Sequence, residues 1–231
     1  MKCTRKLSLL AISIFILIAG FVFFVIGCAN ASIIKSDNNS LVFKDKKSLI
    51  VYFTYAENIG DTSSMSIDAI TSASLHMPTE NTINNTKLMV DEISKKVNAD
   101  IYSIVVKYPY DPVFDNMTDK AREDIKNNKI MELQKELPDI SKYENIYIGS
   151  PLWWYTIPAP VKTFLSKVDL SNKTVIPFGI HRGSGLEPFI EALKELQPNA
   201  EIADGFTVEA RTLNEETKQE FNKFLDQLLR E

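Results

Sequence analysis

The chain has 231 residues, a formal charge of −4 at neutral pH and only two cysteines. That length fits one domain of common size with some chain left over, and the acidic balance speaks against nucleic acid as a partner and against broad adhesion to anionic lipid. Cys3 and Cys28 both lie near the front, so the bulk of the chain has no disulfide framework, no cysteine metal site and no thiol nucleophile.

The left-over length is at the front. Lys2, Arg5 and Lys6 precede an almost unbroken apolar run from Leu7 to Ile26, which closes on Val25-Ile26-Gly27-Cys28-Ala29. Basic, apolar, then small residues is the layout of an export signal. The small residues directly before a cysteine resemble the lipobox of bacterial lipoproteins, which implies cleavage before Cys28 and lipid attachment to it. The other reading is an uncleaved anchor helix, since about 20 apolar residues span a bilayer. Both readings put the remainder outside the cytoplasm, tethered to a membrane. Removing three basic residues from 26 leaves 23 against 30 acidic, a formal charge of about −7 for the mature chain. The organisation expected is therefore a signal at 1–27, a solvated tether at 28–47, rich in Ser, Asn, Asp and Lys, and a domain at 48–231.

Leu49–Phe53 is an apolar, β-branched and aromatic run that reads as the first strand, and Thr54-Tyr55-Ala56-Glu57-Asn58 follows as a polar loop. No helix begins at once. Regular apolar spacing returns only at Met89, Ile93 and Val97, after a polar stretch from Ile59 to Asn84, with Asn84-Asn85-Thr86 as the cap of the helix. Ile101–Val106 is the second strand, and the prolines of the loop at 107–116 forbid helix there. Thr118–Leu137 is mostly charged with sparse apolar positions, which predicts one or two surface helices. Ile146-Tyr147-Ile148 is the third strand. It breaks at Gly149-Ser150-Pro151 into the aromatic cluster Leu152-Trp153-Trp154-Tyr155, and Val161, Phe164, Leu165 and Val168 then recur at helical spacing. Thr174–Ile180 is the fourth strand and delivers His181-Arg182-Gly183-Ser184-Gly185 into a loop. A helix from Leu186 to Leu196, an interrupted fifth strand at 201–208, a capping box at Thr212-Leu213-Asn214-Glu215 and a closing helix complete the chain.

Strands alternating with helices five times predict a three-layer α/β sandwich around a five-stranded parallel sheet. With right-handed crossovers the common order is 2-1-3-4-5. The loops carrying Thr54, Trp153 and His181 then converge at the carboxyl edge of the sheet, where such folds hold ligands. Two adjacent aromatics cannot both point inward from an extended loop, so at least one of Trp153 and Trp154 is expected to present a face to solvent or to a flat ligand.

These residues resemble the flavodoxin-like family, and more closely its short-chain members, whose third-strand loop reads G-x-P-x-W-W and whose fourth-strand loop reads H-G-G-S-G. Here the two are Gly149–Trp154 and His181–Gly185. The resemblance implies FMN as cofactor, with Pro151, Leu152, Trp153, Trp154, Tyr155, His181, Gly183, Ser184 and Gly185 around the flavin ring and the loop after the first strand around the phosphate. That phosphate loop departs from the family's S/T-x-T-G-N-T. Thr54-Tyr55-Ala56 would give its first half, and Asn85-Thr86, beyond the inserted stretch, would stand in for its end, at a helix N-terminus suited to a phosphate. Glu57 in place of a family glycine puts a carboxylate beside that charge.

If FMN binds, Trp153, Trp154 or Tyr155 would cover the ring, and the negative domain would lower its potential. His181 would either donate a hydrogen bond to the ring or only order its own turn, and Arg182, in place of a family glycine, would narrow the pocket mouth. His76 has no identifiable partner. No G-x-G-x-x-G, G-x-S-x-G or metal-ligand spacing occurs. The implied function is an FMN-dependent redox protein, an electron carrier or a reductase of quinone-like or flavin-like acceptors. The rival is a flavodoxin-fold binding module without cofactor.

Overall fold

A computed structural model of the chain describes residues 31–34, 46–60, 75–76 and 83–230. The proposed signal, Cys28 and most of the tether lie outside these residues. The strands in chain order are β1 (Ala31–Ile34), β2 (Ser48–Phe53), β3 (Leu75–His76), β4 (Ile83–Asn84), β5 (Ala99–Ile104), β6 (Asn145–Pro151), β7 (Thr174–His181), β8 (Glu201–Ile202) and β9 (Gly205–Glu209). The described helices are α1 (Asn85–Lys96), α2 (Phe114–Lys126), α3 (Ala159–Lys167), α4 (Glu187–Leu196) and α5 (Glu215–Leu228).

Strands β5, β2, β6, β7 and the β8/β9 pair form a parallel sheet in the order 2-1-3-4-5, as the alternation of strands and helices predicts. Every residue of β2, β6 and β7 is buried, which is why these strands read as continuous apolar runs rather than alternating ones. Two cores result. Leu49, Val51, Phe53, Ile146, Ile148, Phe164 and Phe189 pack on the side of α2, α3 and α4. Ile50, Tyr52, Tyr147, Ile176, Phe178, Phe221 and Phe224 pack on the side of α1 and α5.

Four local expectations change. Within the stretch expected to be tether, Ala31–Ile34 forms β1, antiparallel to β9, with Ala31 opposite Val208 and Ile34 opposite Gly205. A short β-branched run is enough here because β9 would otherwise present an unpaired edge. Within the inserted stretch, β3 and β4 pair as a small antiparallel ladder directly before α1, and His76 stands opposite Ile83 there.

The third change is at 127–137, which is not helical. Asn128 takes φ 48°, the left-handed cap conformation that asparagine tolerates, and the chain leaves α2 as an extended segment. Lys107 N–H donates to the Glu132 carbonyl and Gln134 N–H to that of Val105, so Leu133 pairs as a strand beside Val106. Finally, the capping box of α5 lies two residues later than expected. Asn214 Oδ1 accepts from Thr217 N–H at 3.0 Å, and Thr217 Oγ1 accepts from Asn214 N–H at 2.9 Å.

Candidate functional site at the carboxyl edge of the sheet

The third strand runs three residues further than its apolar core suggests, through Gly149-Ser150-Pro151. Gly149 is required by a close approach, because a Cβ there would stand 2.0 Å from the Phe178 ring on β7. Beyond Pro151, Leu152 N–H donates to the Ile180 carbonyl at 2.8 Å, which joins the β6 loop to β7. Trp153 and Thr156 then exchange two backbone hydrogen bonds, 2.9 and 3.0 Å. Between them Trp154 and Tyr155 have φ of 51° and 60°, the signature of a two-residue type I′ hairpin turn.

That turn sends the two tryptophans to opposite environments. Trp153 is 7% exposed and edge-packed on three rings, with centroids 5.3 Å from Phe53, 6.3 Å from Tyr55 and 5.3 Å from Tyr110. Its ring, like the fully buried rings of Tyr55 and the neighbouring Phe53, belongs to the core, unlike the ligand-covering position the sequence allowed for it. Trp154 turns outward, as expected of one of the pair. Its Nε1–H donates to the Thr118 carbonyl in α2 at 3.0 Å, and the Arg122 guanidinium lies 3.7 Å over its ring, a cation–π contact. One face of Trp154 is thereby capped from α2 and the residue remains 41% exposed, while Tyr155 at the tip is 74% exposed. Arg122 is a site neighbour that no sequence signal marks, since it stands within a run of charged helix residues.

The β2 loop is braced from inside. Asn58 is buried and its side chain donates to the carbonyls of Thr54 (2.7 Å) and Ile104 (3.0 Å) while accepting from Val106 N–H (2.8 Å). Tyr110 N–H donates to the Asn58 carbonyl at 2.7 Å, and Gly60 N–H to that of Tyr110 at 2.9 Å. Thr54 Oγ1 accepts from Glu57 N–H at 3.2 Å, Tyr55 Oη donates to the Asp111 carbonyl at 2.6 Å, and Ala56 is half-buried. The Glu57 carboxylate accepts from the hydroxyls of Tyr52 (2.7 Å) and Ser103, which stand side by side on β2 and β5. Burial first, then the neighbouring Glu57, pushes the Tyr52 phenol upward, so it stays a donor to that carboxylate at any physiological pH.

The helix that ends the inserted stretch begins at Asn85, with Asn85 and Thr86 both fully buried. Thr86 Oγ1 has no hydrogen-bond partner among the described residues, and neither has Ser150 Oγ at the end of β6. A buried hydroxyl without a partner costs about 1–3 kcal/mol. Thr86 sits in the first turn of α1, where backbone N–H groups also lack intrahelical acceptors.

His181 ends β7 and is buried. Its Nδ1 accepts from Gly183 N–H at 2.8 Å, so the neutral ring carries its proton on Nε2, and the residue orders its own turn. Burial pushes its pKa down, against the charges of Glu209 and Glu187, which pull it up. Gly183 (φ 102°) and Gly185 (φ 70°) both occupy left-handed backbone. A Cβ on Gly183 would meet nothing within 4 Å, whereas one on Gly185 would stand 2.3 Å from the Glu187 carboxylate. Ser184 Oγ is held only loosely, 3.4 Å from the Gly185 carbonyl. Among the described residues no cluster of His, Cys, Asp and Glu could hold a metal ion.

The edge thus brings together Thr54, Ala56, Leu152, Trp154, Tyr155 and the His181–Gly185 turn, with Asn85 and Thr86 at the start of α1. It takes the Trp153 and Tyr55 rings and Pro151 into the packed interior. Comparison with known proteins follows the same lines. A family model described as flavodoxin matches residues 80–227. Among solved structures, a protein of Bacteroides uniformis ATCC 8492 assigned as a flavoprotein superposes with a TM-score of 0.57 at 20% identity, covering 79% of this chain and 99% of that one. A flavoprotein of Lactobacillus acidophilus NCFM in complex with FMN superposes with a TM-score of 0.52 at 20% identity, covering 75% and 97%. No curated protein gives a significant match. The matched family model spans more than half of the sequence, and the chain belongs to the flavodoxin family.

Proposed function

We propose that this chain is an FMN-binding redox protein held at the outer face of a bacterial membrane by its N-terminal segment. The observation that carries the cofactor assignment is the Thr86 hydroxyl, buried in the first turn of α1 and without a partner among the described residues, a place where a phosphate oxygen would satisfy it. Family membership and the FMN of the Lactobacillus acidophilus flavoprotein support the same reading. The open side of Trp154 and the exposed Tyr155 would border the flat ring, and the turn at 182–185 would close its other side. Bound FMN supplies transfer of one or two electrons. The acceptor would be a quinone-type or flavin-type molecule, and the signal-like leader with Cys28 supports attachment to the membrane through lipid.

Titration of the protein with FMN, followed by flavin fluorescence, tests the assignment. Saturable quenching that weakens in Thr86→Val and Trp154→Ala is expected. A colourless protein that leaves FMN fluorescence unchanged would return the chain to the reading of a cofactor-free binding module. Attachment is tested by membrane fractionation of the full chain beside a chain whose residues 1–28 are replaced by an ordinary cleavable export signal, which is expected to be found free of the membrane.

A further inference from the structure

Because β1 runs antiparallel to β9, its first residue, not its last, lies at the end of the sheet where the site loops emerge. Ala31 stands opposite Val208, Val208 opposite Ile180, and Ile180 opposite Pro151. These four residues form one row across the sheet, three strand spacings wide, or about 14 Å. The site loops beginning at Leu152 and Arg182 start within a residue or two of that row. Cys28 is three residues upstream of Ala31, and three residues of chain reach at most about 10–11 Å. A lipid on Cys28, or an anchor helix ending beside it, is therefore tied to the same end of the sheet as the site.

A second observation points the same way. The tip of the β6 hairpin at that end carries Trp154 and Tyr155, 41% and 74% exposed, and these two residue types favour the headgroup level of a bilayer. The acidic chain gains little attraction from anionic lipid, so the short tether and the aromatic tip would hold the contact.

We infer that the carboxyl edge of the sheet, led by the Trp154–Tyr155 tip, lies against the phospholipid headgroup layer. This rests on the N-terminal segment being a membrane attachment. The β1 pairing makes the inference specific, because a strand of the opposite sense would tie the lipid to the far end of the sheet.

The test uses the full lipidated chain in phosphatidylethanolamine–phosphatidylglycerol vesicles containing a lipid with a nitroxide on its headgroup, read by tryptophan emission. Quenching of the exposed-tryptophan component is expected, with its loss in Trp154→Phe, where only buried Trp153 remains. A Gly/Ser spacer of about 20 residues between Cys28 and Ala31, with an r.m.s. span of about 25 Å, is expected to relieve the quenching while leaving the protein on the vesicles. Protein that stays on the vesicles with unquenched Trp154 emission overturns this inference and leaves the attachment standing. Protein that does not partition to vesicles at all overturns both.

Discussion

At the aromatic end of the site, everything that fixes the two tryptophans comes from elements already packed for other reasons. Phe53, Tyr55 and Tyr110 surround Trp153, and α2 supplies both the carbonyl and the guanidinium that hold Trp154. The helix end of the site is different. Thr86 is separated from the β2 loop by the inserted stretch, and its hydroxyl contributes nothing to the described fold. One end of the site is therefore coupled to folding, and the other is free of it. Substitution of Trp153 should report on stability and substitution of Thr86 on ligand affinity, with the outward-facing Trp154 between the two.

The sharpest test of that contrast is Trp153→Ala, which removes a ring packed against three others. A loss of about 3–5 kcal/mol is expected in denaturant unfolding, against well under half of that for Trp154→Ala. Equal losses would mean that the two tryptophans share one role. Next in size is Asn58→Ala, which leaves Val106 N–H and two buried carbonyls without their partner. About 2–3 kcal/mol should be lost, with the amides of the β2 loop exchanging faster with solvent.

Thr86→Val should break the pattern from the other side. It removes an unsatisfied hydroxyl while keeping the shape, so the unfolding free energy should hold or rise, while FMN affinity measured by fluorescence should fall about tenfold, roughly 1.4 kcal/mol. A variant that unfolds more easily and binds FMN as before would place the hydroxyl in the fold and not in the site. The smallest effect concerns His181. Its native pKa lies below the ordinary 6.5, so as pH falls the unfolded chain takes up the proton first. Its contribution is complete above about pH 6.5 and is lost as pH falls through the window between that value and the lowered native one. Thermal midpoints between about pH 7.5 and 5 should show this decline, and His181→Asn should flatten it.

The layers and the strand order were legible because β2, β6 and β7 are buried on both faces and read as unbroken apolar runs, with helical spacing between them. The convergence of the loops follows from that order alone. What was not legible depended on single backbone conformations or on distant partners. The end of α2 turns on Asn128, and Leu133 beyond it, still at helical spacing from Ile130 and Leu137, pairs instead with Val106. Which tryptophan faces inward depends on the turn between them, and a Trp-Tyr pair gives no hint of a type I′ geometry that favours Asn-Gly. Strand β1 was hidden because its formation is dictated by the open side of β9, which lies far off in the sequence. Arg122 became visible only once Trp154 was placed.

The same hairpin tip carries a further consequence. Trp154 and Tyr155 both hold left-handed backbone, which disfavours bulky side chains by about 1–2 kcal/mol each. Replacing the pair with Asn-Gly should therefore make the protein harder to unfold while stripping away its exposed aromatics. Thermostability and exposed aromatic surface are opposed at these two positions, so selection for a more heat-resistant variant would tend to erase the tip first, and a library screened for melting temperature alone would enrich proteins that lack it.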